Sequence, residues 1–392
     1  MAAIRFAVSR TYNRRPVQPI YLDNNATTRV ADEVVEAMTP YYRDLYANAH
    51  AVHSLGRSAH SAVEKARESV AAMIGCEASE IVFTSCGTEG NALAIRGLLD
   101  AAPKRRQIVT TAVEHPSVLQ LLRALASRGD IELAVVPVST EGVINVDVLR
   151  ELVSDRTLLV SVMQAQNETG VIHPVRAIAD IAHEHGALVH VDSIQAAGKI
   201  AVTASDLGAD LLSISGHKFH APKGIGALMI RRGLKLTPIW YGGGQELGLR
   251  SGTEAVPSIV GLGVAAKLAV AALPRMDDVR QLRDRLESAI TSDEVTVNCA
   301  SQPRLPNTAC VSFHGKAGDE VVRALDEVGV CITSGAACHA GSIDPSPTMR
   351  AMNTPLRVAM GAVRFSLSRY TTEQEIESTI RVVRDEIHST IV

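Results

Sequence analysis

Residues 213–228 have the sequence SISGHKFHAPKGIGAL. An apolar run at residues 209–214 stops at a Ser-Gly-His-Lys turn, and a second apolar run, interrupted by glycine, follows at residues 224–230. The pattern predicts two strands and places Lys218 where the first strand ends. Small, hydroxyl and imidazole groups flank Lys218 in the sequence, and such a setting can desolvate an amine and lower its pKa.

Two interpretations of Lys218 are therefore open. A lone lysine after a strand is usually a solvated surface residue. A desolvated lysine amine is instead a nucleophile that forms a Schiff base with an aldehyde, and pyridoxal phosphate is the commonest aldehyde cofactor of this kind.

The composition bounds the function. With 392 residues, 46% of them hydrophobic and 21% charged, the chain can bury a large core, and two domains are expected. A formal net charge of −3 gives no reason to expect a nucleic acid or a membrane as partner. We also expect no apolar segment long enough to span a bilayer.

The six cysteines include no Cys-x-x-Cys pair, which argues against a disulfide scaffold and against a zinc site. Free thiols in a reducing compartment, the cytoplasm, are expected. His50 and His53 lie in a polar segment without a third ligand at a useful spacing, so no metal site is predicted.

Strand patterns alternate with helical patterns over the first two thirds of the chain. Strands are predicted at 80–85, 107–111, 132–138, 157–163 and 188–192. This alternation predicts an α/β fold with a mostly parallel, doubly wound sheet, in which ligands bind at the carboxyl ends of the strands.

Five polar residues follow such strand ends, and a non-functional alternative is open for four of them. They are Thr88, His115, Asn167, Asp192 and Lys218. Gly87 and Thr88 lie in a strand-turn-helix segment that suits a phosphate, but Thr88 could also be a simple helix cap. His115 could be a cap, and Asp192 could be a cap or could hold a proton on a ring nitrogen.

A second region of strands and helices follows two helical stretches, residues 257–273 and 277–290. We place the boundary within those helices. The prediction is a large domain of residues 26–273, with residues 1–25 and 274–392 forming a smaller α+β domain.

Ten motifs in order along the chain carry a resemblance to a known family. They are YLDNNATT, FTSCGTEGN, VEHPSV, QNETG, HVDSIQAAGK, SGHKFHAPKGIG, GGGQE, RSGT, SGAACHAG and RFSLSR. The set resembles the cysteine desulfurases of the mobile-loop type, which belong to the class V aminotransferase group of fold-type I pyridoxal phosphate enzymes. The resemblance runs from about Tyr21 to the C-terminus.

The resemblance implies roles for individual residues. Lys218 would be the Schiff-base lysine, Asp192 the partner of the pyridine nitrogen, and His115 the residue that stacks on the ring and moves protons. The other implied contacts are with the phosphate (Gly87, Thr88, Ser215, His217, and Thr253 from the other subunit), the ring hydroxyl (Gln195), the ring and substrate (Asn167) and the substrate carboxylate (Arg364). An arginine on a strand is ordinarily a surface residue, but its planar fork suits a carboxylate.

Cys338 in TSGAACHAGSIDPS is implied as the sulfur acceptor. A free thiol is only slightly ionised at neutral pH, so positioning or a base such as His339 must activate it. Cys86, beside the phosphate turn, is the rival thiol. Cys76, Cys299, Cys310 and Cys331 are expected to be buried small apolar residues.

The implied reaction converts L-cysteine into L-alanine and a Cys338 persulfide, in a homodimer that passes sulfur to an acceptor such as an iron–sulfur scaffold protein. Selenocysteine lyase, a class V aminotransferase and a non-enzymatic sulfur-relay scaffold are the alternatives. Gly90 and His339 depart from the family pattern, where hydroxyl residues are common. The chain stops at Val392 soon after its last helix, without the tail by which some relatives dock a scaffold, so the acceptor is left open.

Overall fold

The alternating pattern forms a seven-stranded sheet within the residues that the computed structural model describes, 19–102, 104–335 and 344–389. The strands of this part of the chain are β1 Ile20–Tyr21, β2 Ile81–Thr84, β3 Gln107–Thr111, β4 Glu132–Val136, β5 Thr157–Met163, β6 Leu188–Asp192, β7 Leu211–Ser215, β8 Gly226–Ile230, β9 Val295–Val297, β10 Thr308–Phe313, β11 Val330–Cys331, β12 Thr333–Ser334 and β13 Ala362–Ser366. The helices are α1 Asp32–Met38, α2 Pro40–Arg43, α3 Ser54–Ile74, α4 Gly87–Ala101, α5 Pro116–Ser127, α6 Val146–Leu152, α7 Val175–Glu184, α8 Ala204–Leu207, α9 Val256–Ala272, α10 Met276–Ile290, α11 Gly318–Glu327, α12 Pro347–Ala351, α13 Leu356–Ala359 and α14 Glu373–Ser389.

The large sheet has the strand order β2-β8-β7-β6-β5-β3-β4. Only β8 runs antiparallel to its two neighbours within this sheet. Successive residues of β7 point to opposite faces: Leu212 and Ile214 join the core under α3, α7 and α9, whereas Leu211 joins the core under α4 and α5. Helices therefore cover both faces, and the predicted doubly wound α/β fold is confirmed.

A second, antiparallel sheet has the order β12-β13-β10-β9. Its apolar core is separate and includes residues of α10, α11 and α14. Strand β1 pairs in parallel with β11, which places the start of the described chain beside this second core. The division of the chain near Leu273 stays a prediction.

By length and composition, the continuous helical stretch Val256–Ile290 is long and apolar enough to span a membrane. The expectation that no segment is long enough was therefore wrong. Its first part, α9, packs against α1 and α3, and Ala265 and Ala266 are fully buried. A Cβ on Gly263 would lie only 2.6 Å from the Cα of Ala66. Burial between helices accounts for the apolar composition of α9.

A buried ion pair fixes the segment of residues 242–253 against the sheet. The Arg67 guanidinium donates to both carboxylate oxygens of Glu246, at 2.9 and 2.8 Å, and the Phe83 amide donates to Glu246 Oε2 at 2.7 Å. The side chain of Glu246 is only 2% exposed. Glu246 and Leu247 both have positive φ, 47° and 59°, a conformation that non-glycine residues rarely adopt without such support.

We predict that Glu246→Ala lowers the free energy of unfolding by roughly 3–5 kcal/mol, because it leaves the Arg67 charge buried without its partner. Glu64→Ala is the matched control: Glu64 also pairs with Arg67, at 3.1 Å, but its side chain is 44% exposed. The control should change stability by at most about 1 kcal/mol. Denaturant unfolding of both variants measures the difference, and equal losses would contradict the assignment.

Candidate functional site

A cavity of about 190 Å³ opens at the carboxyl edge of the large sheet. Every predicted cofactor-binding residue except Thr253 lines it. The lining residues are Cys86, Gly87, Thr88, His115, Ser117, Met163, Asn167, Asp192, Ile194, Gln195, Ser215, His217 and Lys218. They follow different strands, and the parallel arrangement brings those strand ends to one edge.

Lys218 ends a 3₁₀ turn, Gly216–Lys218, directly after β7. Its Nζ donates to the carbonyl oxygens of Asn25 at 2.7 Å and Ala26 at 2.8 Å. Burial lowers the pKa of Lys218 to about 8, and the positive charge of Arg364 adds to the effect. Lys218 is therefore a held, partly desolvated amine, not a solvated surface residue.

The turn at the start of α4 has the features of an anion site. Cys86 is the residue before the helix, and its side chain makes no capping hydrogen bond to the first turn. Thr88 lies inside the helix, so the interpretation of Thr88 as a cap is wrong. A Cβ on Gly87 would lie 2.1 Å from Ile194 Cδ1, so a larger residue here would have to displace the Ile194 side chain. The buried Ser215 Oγ, which has no hydrogen-bond partner among the described residues, lines the same cavity.

Asp192 ends β6 inside the sheet and is 4% exposed. Its Oδ1 accepts from the Ile194 amide at 3.0 Å, and its Oδ2 accepts from Asn91 Nδ2 at 2.9 Å. Burial raises the pKa of Asp192, while these two hydrogen bonds favour the carboxylate and oppose the rise. The carboxylate thus suits a cationic N–H donor in the cavity.

His115 both caps a helix and lines the cavity. Its Nδ1 accepts from the Ser117 amide at 3.1 Å, as the residue before α5, and lies 2.8 Å from Ser117 Oγ. Desolvation by the surrounding protein lowers the pKa of His115, and the positive charge of Lys218 acts in the same direction, whereas Asp192 opposes the change. The neutral imidazole is therefore favoured at neutral pH.

Gln195 and His217 complete the polar lining. Gln195 donates through Nε2 to the carbonyl of Asn25 at 2.9 Å, and its Oε1 accepts from Lys199 Nζ at 2.5 Å. Burial lowers the pKa of Lys199 well below its usual value. Burial also lowers the pKa of His217 to about 4, so its ring is neutral at neutral pH.

Arg364 lies in β13, next to the cavity but not among its lining residues. Arg364 has two partners, unlike a solvated surface arginine: Nη1 donates to the Asn167 carbonyl at 2.9 Å and Nη2 donates to Asp23 Oδ1 at 2.8 Å. Its Nε is buried and has no partner within the described ranges. The Arg364 side chain is only 8% exposed, and its guanidinium adjoins Asn167, which does line the cavity.

Other predicted residues have different outcomes. Thr253 is exposed and lies away from the cavity lining, and Cys338 falls outside the described residues. Cys86, the rival thiol, lines the cavity.

The remaining cysteines follow the expectation in part. Cys299 and Cys310 are buried, but Cys76 and Cys331 are only partly buried, so the expectation for those two was wrong. Burial still raises the pKa of both Cys76 and Cys299 to about 12, which keeps these thiols protonated.

The histidines of the polar segment before α3 have local partners. His53 Nδ1 accepts from the Gly56 amide at the start of α3, and His50 Nε2 lies 3.2 Å from Glu254 Oε1.

Two functional residues escaped the sequence analysis. Asn91 and Ser117 form hydrogen bonds to Asp192 and His115, respectively. Asn91 lies four residues after Gly87, on the same face of α4, and Ser117 lies two residues after His115. Two spacings in the sequence could have identified them. Asn91 lies one helical turn after the predicted phosphate-binding Gly87, and Ser117 lies where a residue that caps a helix usually finds its partner.

Together these groups fit pyridoxal phosphate. The uncapped start of α4 and the unpartnered Ser215 Oγ suit a phosphate, Lys218 supplies a nucleophilic amine, and the Asp192 carboxylate suits a protonated ring nitrogen. The donor set and the cradle are thus those that this cofactor requires.

Comparisons with known proteins agree with this geometry. A family model described as aminotransferase class-V matches residues 20–378. A cysteine desulfurase from Nostoc sp. is 46% identical over 367 residues, which cover 93% of this chain and 92% of that protein. A solved NifS-like protein superimposes with a TM-score of 0.89 at 37% identity, covering 96% of this chain and 100% of that one. A structure described as SspA in complex with cysteine superimposes with a TM-score of 0.78 at 34% identity, covering 90% and 99%.

We predict that Lys218 in ligand-free protein becomes reactive to an amine-acylating reagent near pH 8, because half of its amines are deprotonated at its lowered pKa. Exposed lysines, with an ordinary pKa near 10.4, should require a pH about two units higher. Mass spectrometry of the Lys218 peptide and of surface lysine peptides across pH 6–11 measures both curves. Coincident curves would contradict the prediction.

Proposed function

Because this chain belongs to the aminotransferase class-V family, we propose how its own residues carry out the reaction of a pyridoxal phosphate-dependent cysteine desulfurase. The chain is such an enzyme: it removes sulfur from L-cysteine and releases L-alanine. The observation that carries the residue assignments is the convergence of Lys218, Asp192 and His115 on one cavity.

Lys218 would hold the cofactor covalently through its amine. The first-turn amides of α4, with Thr88, Ser215 and His217, would bind the phosphate, and Gln195 would reach the ring hydroxyl. When bound, pyridoxal phosphate supplies an electron sink for the bond changes at the substrate. In our assignment, Asp192 would keep a proton on the ring nitrogen, and His115 would lie against the ring and move protons.

Arg364 is assigned to the substrate carboxylate. Its guanidinium already pairs with Asp23 on one side, and the planar fork presents further N–H donors at fixed angles. Asn167 adjoins Arg364 through its carbonyl and lines the cavity, so the two residues can orient one substrate together.

Cys338 is assigned as the sulfur acceptor. Its thiolate attacks the sulfur of the substrate, and the bond between that sulfur and the substrate β-carbon breaks. The β-carbon keeps the electron pair and takes up a proton, which yields alanine, while the sulfur remains on Cys338 as a persulfide. Thiolate, not thiol, is the nucleophile in such a transfer.

We predict that Cys338→Ser keeps the visible absorption of bound cofactor but loses alanine release from cysteine by at least about a hundredfold, because a hydroxyl ionises far less than a thiol at neutral pH. Lys218→Ala should instead lose the visible absorption as well. Alanine release and the mass of the residue-338 peptide, which should gain one sulfur in the parent, are the measurements.

Several outcomes would overturn the Cys338 assignment. Full desulfuration without Cys338, or a persulfide on Cys86, would do so. Activity of Cys338→Ser on selenocysteine alone would indicate a selenocysteine lyase, and transamination unaffected by the substitution would indicate an aminotransferase.

A homodimer is proposed from the exposed surface around Thr253. Trp240, Tyr241 and Leu247 are 58%, 80% and 70% exposed, and Val52 is 88% exposed on the neighbouring segment. The His50–Glu254 contact joins the two segments, and exposed apolar side chains of this kind mark a surface that a partner can cover. A second copy of the chain would cover it and bring each Thr253 toward the partner's cofactor phosphate.

We predict that Leu247→Asp raises the dissociation constant of the dimer at least about tenfold, since it places a charge in a surface that needs to be buried. Leu356→Asp, at a leucine of similar exposure (66%) on α13, is the control and should leave the dimer intact. Sedimentation velocity gives both constants. A monomeric parent protein would refute the proposal.

The acceptor and the compartment are part of the same proposal. We assign the sulfur to an acceptor protein such as an iron–sulfur scaffold, in the cytoplasm. All five cysteines in the described part of the chain are free, which fits a reducing compartment.

A further inference from the structure

One buried amide near the cavity has an unusual set of partners. Asn91 in α4 is fully buried. Its Nδ2 donates to Asp192 Oδ2 at 2.9 Å and to Ser117 Oγ at 2.9 Å, whereas its Oδ1 has no partner among the described residues. An unpaired buried acceptor is unfavourable, so this arrangement calls for a compensating role.

The partners dictate the orientation of the amide. Asp192 accepts with Oδ2, and rotating the amide would place Asn91 Oδ1 against that carboxylate. Both amide hydrogens are therefore committed, one to Asp192 and one to Ser117. The hydrogen bond to Asp192 favours the ionised form of that carboxyl group. The hydrogen bond to Ser117 makes the Ser117 hydroxyl oxygen an acceptor.

The hydrogen-bond chain continues from Ser117 to His115. Because Ser117 Oγ accepts from Asn91, its own hydroxyl hydrogen is available to His115 Nδ1 at 2.8 Å. The Ser117 amide donates to the same Nδ1 at 3.1 Å. Two donors at Nδ1 leave it as an acceptor, and the proton of the neutral ring then lies on Nε2.

We propose that Asn91 is a positioning residue that acts on two protonation states at once: it favours the carboxylate form of Asp192 and, by orienting the Ser117 hydroxyl, adds to the Ser117 amide in favouring the neutral His115 ring with its proton on Nε2. The proposal rests on the function assigned above. It makes His115 a donor at Nε2, and makes uptake of a second proton at Nδ1 depend on displacing Ser117.

Other charged groups face the same pair. Lys218 acts on both Asp192 and His115 through space, Glu114 interacts with Asp192, and Asp192 and His115 act on each other. Burial raises the pKa of Glu114 to about 8, so this neighbour is largely uncharged at neutral pH. These influences persist when Asn91 is replaced, so a change in the variant reports the hydrogen-bond network itself.

A purely structural role is the competing explanation, since Asn91 also joins α4 to β6 and to the start of α5. Asn91→Leu separates the two. Leucine is similar in size and removes both donors and the unpaired oxygen, while Asp192 keeps the hydrogen bond from the Ile194 amide, so the variant should fold. Asn298→Leu is the matched control, because Asn298 is a buried amide that donates to Ser312 in the second sheet and is not among the residues that line the cavity.

The test uses cofactor-bound protein with ¹⁵N-labelled histidine rings, and His115→Gln identifies the His115 signals. In the parent, the nitrogen shifts should show the proton on Nε2. Asn91→Leu and Ser117→Ala should each move the ring toward the other tautomer or the charged form. Only Asn91→Leu should also shift the pH titration of the cofactor's visible absorption, because only that variant removes a donor from Asp192.

The kinetic expectation is a loss in kcat of roughly tenfold to a hundredfold for Asn91→Leu, the size expected for removing a hydrogen bond to a charged group. The acid limb of its pH profile should move to higher pH, since Asp192 is then easier to protonate. Asn298→Leu should change neither measurement.

Unchanged ring shifts and an unchanged titration in Asn91→Leu would overturn the proposal, whatever its thermal stability. A parent protein that releases no alanine would instead refute the assigned function. The two failures are distinct, because the ring shifts are measured without substrate.

Discussion

Two backbone carbonyls hold the amine of Lys218, and much of the surrounding structure serves to fix them. They belong to Asn25 and Ala26, in the segment that follows β1. The Asn25 carbonyl accepts from Lys218 and also from Gln195 Nε2. A partly desolvated ammonium or amine needs fixed acceptors, and desolvation is the largest influence on the pKa of Lys218.

The Asn25 side chain ties this carbonyl to both sheets. Its Oδ1 accepts from Lys199 and Asn307, and its Nδ2 donates to Thr308 and to the Asn167 carbonyl. Its own amide donates to Ser366 Oγ in β13, two residues after Arg364. A single buried residue therefore links the nucleophilic amine to the strand that carries the arginine assigned to the substrate carboxylate. Displacement of one group would disturb the position of the other.

Charge balance around the cavity follows from the same burial. Burial is the largest influence on the pKa of both Lys218 and Lys199, and the positive charge of Arg364 lowers both values further. Lys218 also lowers the pKa of Lys199, whereas Asp23 and Asp192 oppose the decrease at Lys218. Burial lowers the pKa of Lys199 well below its usual value, and its amine donates to Gln195 and Asn25. The cavity thus combines a lysine whose pKa is lowered to about 8, a buried aspartate that accepts two hydrogen bonds and a neutral imidazole, which is the combination that the assigned chemistry needs.

The sequence by itself determined the order of strands and helices, the turn that carries Lys218, and the cradle at Gly87, because each depends on a pattern within a few neighbouring residues. Strands β3, β5 and β6 begin and end at the predicted residues. Only the tertiary structure showed that Asp23 pairs with Arg364, 341 residues away, and that Asn91 reaches Asp192 across 101 residues. It also showed that the apolar α9 is a core helix and that Cys76 and Cys331 stay partly exposed. Such facts depend on which surfaces meet when distant segments pack, and local patterns carry no information about that.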